Sequence, residues 1–380
     1  MEEIEIPKEV QQKNSAEIVA SIDDLLIVIL LRLPIKSLLR FKSVSKHWQS
    51  LIANPKFCYL RNRTIGLMLP HDDIPINGRL IEYVPFFDTA LTRKLEYLKD
   101  AELTEVLHSC NGLLLCISYF DNECIRYVCN PTTNKLSLVP ALEKDNWSIS
   151  GMSLAFDPAI SPHYKVVCVQ KLGKLARILT CSSETVAWVV CGDPFTCSIN
   201  CFRKGVYWNG ALHWMSHQIP LYFKIEDQVV GEMPSVPVPL SIGWNVWDKY
   251  YFGESCDHLH FVKPRDTQLE LNVYEMKRDY SEWFIKYKVD LLPVIAAYPE
   301  IIRDLCYYDF SVFCIVTGGK EEEDESFMVL EIPAKVIRLN LVSKTFKSLY
   351  EFEVGHYWYK RRLKFAYTSG FQYIESLCNV

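Results

Sequence analysis

The chain has 380 residues, 49% of them hydrophobic, and a formal net charge of −5. That length holds one large domain beside a small one, and a mildly acidic, sign-mixed charge lacks the basic footprint that binding nucleic-acid phosphates requires. The longest purely apolar run, Leu25–Leu31, is seven residues, where a membrane-spanning helix needs about 20. Neither nucleic acid nor a membrane is expected as a partner.

Met1–Asn14 carries Glu2, Glu3, Glu5 and Glu9 and no apolar core, unlike a secretory signal or a basic transit peptide. Residues 1–20 read as a disordered polar leader, and the protein is expected in the cytoplasm, the nucleus or both. Fourteen cysteines are many. Nothing directs the chain to an oxidising compartment, so disulfides are not expected. No Cys-x-x-Cys occurs, so neither is a zinc site. Cys116, Cys129, Cys168 and Cys314 lie in β-like apolar runs and read as buried reduced thiols packing as small hydrophobes.

A first helix is predicted from Ile22 to Leu33, with Leu26, Ile29, Leu30 and Leu33 at helical spacing. Asp23 and Asp24 fall in its first turn, where the helix dipole favours negative charge. Pro34 ends it and can open the next helix, because a first-turn proline loses no hydrogen bond. Ile35–Phe41 follows as a second short helix with Leu38 and Leu39. Ser45 can cap a third, Lys46–Ala53, carrying Trp48, Leu51 and Ile52, and Asn54-Pro55 stops it. Leu25–Leu31 is apolar on every face rather than along one stripe, which demands cover on all sides. A module of about 35 residues is too small to bury that surface alone. The excess meets either the rest of the chain or a partner.

The run Leu-Arg-Leu-Pro-Ile-Lys-Ser-Leu-Leu-Arg-Phe-Lys-Ser-Val-Ser-Lys-His-Trp, from Leu31 to Trp48, closely resembles the F-box motif of plant F-box proteins. The resemblance covers residues 22–57 and places an F-box at 21–60. It implies three helices that bind the Skp adaptor of a cullin-based ubiquitin ligase. Two positions depart from the family. Ser21-Ile22 stands where it usually has Leu-Pro, which bears on one edge of the adaptor contact, and Val28 stands where Glu is common. The residues carried over as an apolar adaptor-binding surface are Leu25, Ile29, Leu30, Pro34, Leu38, Leu39, Val44, Trp48 and Leu51. Some of these must instead form the module's own small core, and sequence does not separate the two sets.

From about residue 64 short apolar strands alternate with turn clusters, the pattern of an all-β domain over 64–380. A strand–polar turn–strand unit recurs at Tyr127–Leu138, Ile178–Val190, Leu221–Val230, Leu271–Tyr287 and Val336–Tyr350, with a less regular copy near 88. Most spacings, about 44 to 52 residues, match propeller blades. The one longer gap contains Gly318–Glu325, which reads as an inserted loop. A second element, Ser109–Cys116, Tyr207–Trp214 and Ser255–Phe261, has a tight turn before an apolar strand; Asn-Gly favours such a hairpin turn. The fold class is therefore α+β multidomain: a small three-helix module followed by an all-β domain, read as a degenerate β-propeller, with a two-sheet sandwich as the alternative. Kelch and WD signatures are absent as repeats. Asn130-Pro-Thr-Thr, Ala155–Val167 and Asn209–Trp214 resemble marks of the kelch-like F-box-associated domain that follows plant F-boxes; Cys129 stands where that family often has Trp, which suggests a divergent branch.

Residues that could carry chemistry have plainer readings. His213-x3-His217 lacks the helical His-Glu-x-x-His of a zinc protease. His258 and His260 share one strand face, but two histidines make a weak metal case. Gly151-Met-Ser-Leu-Ala155 echoes a nucleophile elbow without the helix that must follow. Asp157, Asp193 and Asp257 could serve a glycosidase-like site only if brought together, and loop aspartates commonly form turns. Glu321–Glu325 reads as a solvated insertion, and Trp244, Trp247, Tyr250 and Tyr251 read as blade filling or, if exposed, a binding hot spot. No catalytic residue, metal or cofactor is expected. The expected role is a non-catalytic adaptor linking an unknown target to the Skp adaptor, and through it to cullin and a RING subunit. A stand-alone protein- or glycan-binding protein is the alternative, and an enzyme on a propeller scaffold a further rival. The stand-alone reading predicts Leu25–Leu31 and Trp48 covered within the chain; the F-box reading predicts them exposed.

Overall fold

In a computed structural model of the chain, the described residues are 22–380 except 34, 55–56, 58–63, 71–80, 87–103, 121–122, 198, 200–201, 217, 239–249, 266, 305–306, 319–322, 353–362, 364–369 and 379. The leader expected at 1–20 lies outside them, as does the irregular repeat near 88.

Three helices open the described chain: α1 Asp23–Leu31, α2 Ile35–Phe41 and α3 Lys46–Ala53. The last two have the bounds that the sequence predicts, because their ends are set locally. Ser45 is extended and its hydroxyl accepts the Trp48 N–H at 3.1 Å, satisfying one of the orphan donors of the first turn. Asp23 and Asp24 occupy the first turn of α1, which stops short of Leu33 with Arg32 as its C-cap.

The strands begin with β1 Thr64–Pro70 and β2 Ile81–Pro85. A first four-stranded antiparallel sheet comprises β3 Thr104–Cys110, β4 Leu113–Phe120, β5 Glu123–Asn130 and β6 Lys135–Val139. A second comprises β7 Ser148–Ala155, β8 Lys165–Leu172, β9 Leu175–Ser182 and β10 Trp188–Thr196. The third is β11 Val206–Trp208, β12 Ala211–Trp214, β13 Leu221–Lys224 and β14 Val229–Glu232, and the fourth β15 Tyr251–Ser255, β16 His258–Val262, β17 Glu270–Met276 and β18 Trp283–Asp290. Then come α4 Leu292–Ala297, a 3-10 turn at Pro299–Ile301, and a small hairpin, β19 Ile302–Asp304 with β20 Tyr307–Tyr308. The fifth four-stranded sheet is β21 Ser311–Val316, β22 Phe327–Ile332, β23 Lys335–Asn340 and β24 Phe346–Glu351. Finally β25 Phe371–Ile374 pairs antiparallel with β1, making a sheet of order β2-β1-β25.

These sheets are the blades of a six-bladed β-propeller, not two stacked layers. The first strands of successive blades lie side by side, β3 beside β7, β7 beside β11, β11 beside β15 and β15 beside β21, and β25 beside β3 closes the ring. The sixth blade thus joins residues 64–85 to 371–374, a velcro closure with no local signal in the sequence. Each recurring unit read from the sequence is an outer hairpin, and in each one residue just before the second strand is left-handed: Asn134, Val186, Gln228, Tyr280 and Lys344. Three of the inner hairpins turn on Asn111-Gly112, Asn209-Gly210 and Cys256-Asp257, both residues left-handed each time, as a two-residue type I′ turn requires. The extra length of the fifth repeat is more than the loop expected at Gly318–Glu325. α4 and the β19–β20 hairpin form a second insertion between β18 and β21.

The cores lie between neighbouring blades. Leu113, Leu115 and Val128 meet Met152, Leu154 and Val166. Val167, Val169 and Ile178, on the opposite face of that second blade, meet Leu212 and Phe223 of the third. Trp208 and Met215 then meet Leu259 and Phe261. Strands covered on both faces explain why apolar runs, not clean alternation, mark them in the sequence. Cys116, Cys129, Cys168 and Cys314 are all buried in strands, and the Cys116 and Cys129 thiols lie 3.9 Å apart on paired strands.

Candidate functional site

The helical module sorts its apolar side chains into two sets. Leu26 and Leu30 of α1, Leu38 of α2, Leu51 and Ile52 of α3, and Phe57 are buried together. α1 and α2 both pack on α3, and His47 Nε2 lies 3.1 Å from the Asp23 carboxylate, tying α3 to the start of α1. Trp48 is half-buried, edge-on to Phe41 with ring centroids 5.2 Å apart. Leu30, Leu38 and Leu51 therefore belong to the module's own core and not to its outer surface.

The second set points outward. On α1, Leu25 and Val28 are each 48% exposed and Ile29 46%. Positions i, i+3 and i+4 share one side of a helix. Leu39 on α2 and Val44 in the turn after it, 60% exposed, also face outward. Ile22, where the family usually has proline, is exposed as well and gives α1 no side-chain cap. Of the sequence-derived surface residues, Leu25, Ile29, Leu39 and Val44 lie outside, while Pro34 is outside the described residues. Val28 belongs to this face, although in the sequence it stood out only as a departure from the family. The all-round apolarity of α1 is thus resolved: one side fills the module's core and the other is left to solvent, as a docking face is.

The rival chemical readings find structural roles. His213 sits buried on β12 with Nε2 2.9 Å from the Tyr280 hydroxyl, and burial pushes its pKa down to about 4; His217 lies outside the described residues. His258 and His260 do share a face, and both meet Glu275 of β17, at 2.9 and 3.5 Å. Burial favours the neutral Glu275 carboxyl, but the two histidines beside it outweigh that and hold its pKa at about 2. Among the described residues no group of three or more His, Cys, Asp or Glu is placed to hold a metal ion. Asp157 accepts the Ala159 N–H at 2.8 Å within its own turn, Asp257 pairs with Arg278, and Asp193 is exposed on β10. Asp157 and Asp193 lie at opposite edges of the second blade, beside β7 and on β10, and Asp257 lies in the fourth. Ser153 is interior to β7, a strand rather than an elbow. Tyr251 is buried and Tyr250 stacks on Phe261, whereas Trp244 and Trp247 lie outside the described residues. Glu323 lies 3.5 Å from Lys286. No helix among the described residues is long and apolar enough to cross a membrane.

Comparison with known proteins agrees with this division. The family described as "F-box domain" matches residues 23–60, and "F-box associated beta propeller domain" matches residues 84–220. F-box protein At5g07610 of Arabidopsis thaliana is 34% identical over 421 aligned positions, covering 97% of this chain and 94% of that protein. F-box protein At5g49610 of the same plant is 24% identical, covering 73% of this chain and 81% of its own length. Among solved structures, TolB from Acinetobacter baumannii aligns over 76% of this chain and 64% of its own at TM-score 0.41 and 8% identity, too slight a likeness to argue from. The chain belongs to the plant F-box proteins that carry an F-box-associated β-propeller domain.

Proposed function

We propose that this chain is the substrate receptor of a Skp–cullin–F-box ubiquitin ligase. Its F-box docks the Skp adaptor through the outward side of α1 together with Leu39 and Val44, and its propeller holds a target. The observation that carries this reading is the pairing on α1 of a satisfied inner side, Leu26 and Leu30, with an apolar outer side, Leu25, Val28 and Ile29. Exposed apolar side chains presented by a rigid helix lose little conformational freedom on docking. The family membership supports the same role.

The chain's contribution is positional and not catalytic. The adaptor links through cullin and a RING subunit to a charged conjugating enzyme, and the propeller keeps the target beside it. Tethering raises the effective concentration of target lysines without chemistry from this chain. Such a role places the protein in the cytoplasm, the nucleus or both.

The test is capture of purified Skp adaptor by the full chain and by a Leu25→Asp/Ile29→Asp variant. Both substitutions are on exposed positions and leave the core intact. Strong capture by the wild type, reduced at least tenfold in the variant, is the expected result. No capture by the wild type overturns the reading and favours a stand-alone binding protein.

A further inference from the structure

The segment after β25 touches both halves of the chain. Leu377 is buried in the helical module among Leu26, Leu30, Leu38, Leu51 and Ile52, and Lys42, in the turn between α2 and α3, donates from Nζ to the Leu377 carbonyl at 3.1 Å. The flanking residues turn to the propeller. Asn130 Nδ2, at the end of β5, donates to the carbonyls of Ser376 and Cys378 at 3.0 and 2.7 Å. The Ser376 N–H donates to Thr132 Oγ1 at 3.1 Å, and Cys378 packs on the core between the first two blades. Among the described residues no helix of the module packs broadly on a strand.

We propose that Ser376–Cys378 is a strap that holds the helical module at one orientation on the propeller, and that Asn130 is the positioning residue that sets it. Asn130 is wholly buried and its amide divides its work. Oδ1 accepts the N–H groups of Thr132 and Thr133, at 2.8 and 3.4 Å, and shapes the outer turn, as asparagine does in such turns. Nδ2 serves the strap alone. The orientation of the amide follows from its neighbours, since backbone N–H groups only donate and carbonyls only accept. An aspartate at this position keeps the turn acceptor and puts a second acceptor against two carbonyls. The substitution therefore separates the turn from the strap. In a ligase, a fixed angle between module and propeller sets where a held target lies relative to the adaptor. The strap itself does not depend on that reading.

The test is the distance distribution between spin labels placed through non-canonical amino acids at exposed Lys46 of α3 and exposed Glu184 of the β9–β10 turn. It is measured on the full chain without adaptor, so a chain that fails to bind the adaptor leaves the test intact. Wild type should give one narrow distribution, and Asn130→Asp one at least twofold broader, with the β-sheet circular dichroism unchanged. If Asn130→Asp loses the sheet signal, Leu377→Ala and Lys42→Met are read in its place, with the same expectation. A broad distribution in the wild type, or variants as narrow as the wild type, overturns the proposal.

Discussion

His108 donates from Nε2 to the Gly205 carbonyl across 2.7 Å, while its Nδ1 accepts the Leu154 N–H at 3.1 Å. The imidazole thus joins β3, β7 and the entry to β11 in a single neutral tautomer. Burial, partly offset by the Gly205 hydrogen bond, pushes its pKa from 6.5 down to about 4. Between those values the unfolded chain binds a proton that the folded chain refuses, so stability falls as pH drops from 6.5 toward 4. We expect His108 to cost about 2 kcal/mol at pH 5 relative to pH 7.5. Glu254, its carboxyl raised to about 7 chiefly by burial, acts with the opposite sign between pH 4.5 and 7. Urea unfolding of the wild type and His108→Gln at both pH values isolates the histidine; an equal pH loss in the two proteins contradicts this account.

The two apolar sets of the F-box should respond oppositely to truncation. Leu30→Ala and Leu38→Ala remove fully buried side chains and should each cost about 2–5 kcal/mol. Ile29→Ala, at an exposed position, should change stability by less than about 1 kcal/mol yet weaken adaptor capture. Denaturant midpoints beside adaptor affinity check this, and an Ile29→Ala protein that loses stability without losing affinity would place Ile29 in the core.

Gly112 and Gly210 occupy equivalent inner turns, with φ of 86° and 72°, but different surroundings. A Cβ on Gly112 falls 2.5 Å from Ser376 Cβ and 2.7 Å from the Ile374 carbonyl, whereas one on Gly210 meets nothing within 4 Å. Gly210→Ala should cost about 1–2 kcal/mol, from backbone strain alone. Gly112→Ala carries the same strain plus a clash with the strap and should melt clearly lower. Thermal midpoints of the two variants decide it; equal losses refute the clash.

Burial pushes the Cys168 thiol up to about 12 and raises that of Cys314 further. Since the thiolate is the reactive form, neither should react with iodoacetamide at pH 8 in the folded protein, while exposed Cys124 and Cys256 should. Peptide mass spectrometry before and after unfolding in denaturant reads the difference.

The local features of this fold were legible. Ser45 before Lys46–Ala53, Asn111-Gly112 and Asn209-Gly210 declare caps and turns because each requirement is met within a few residues. The outer hairpins could be counted because the polar turn recurs at blade spacing. The α4 and β19–β20 insertion escaped because Leu291–Phe310 carries no repeat to betray it. Among the site residues, Leu25, Ile29, Leu39 and Val44 were read as surface. Leu30 reads with them because a helix apolar on every side has no amphipathic stripe to point inward, and Leu38 and Leu51 because the family resemblance carries over both sets together.

Sequence alone determined that a three-helix F-box precedes a bladed β domain, since caps, turns and repeat spacing act over short stretches of chain. Only the tertiary structure decided the closure of β25 on β1, the sorting of α1 into inner and outer sides, and the insertion of Leu377 into the helical core. Each of these joins residues far apart in the chain through burial, which depends on what lies across the interface and leaves no mark on the local pattern.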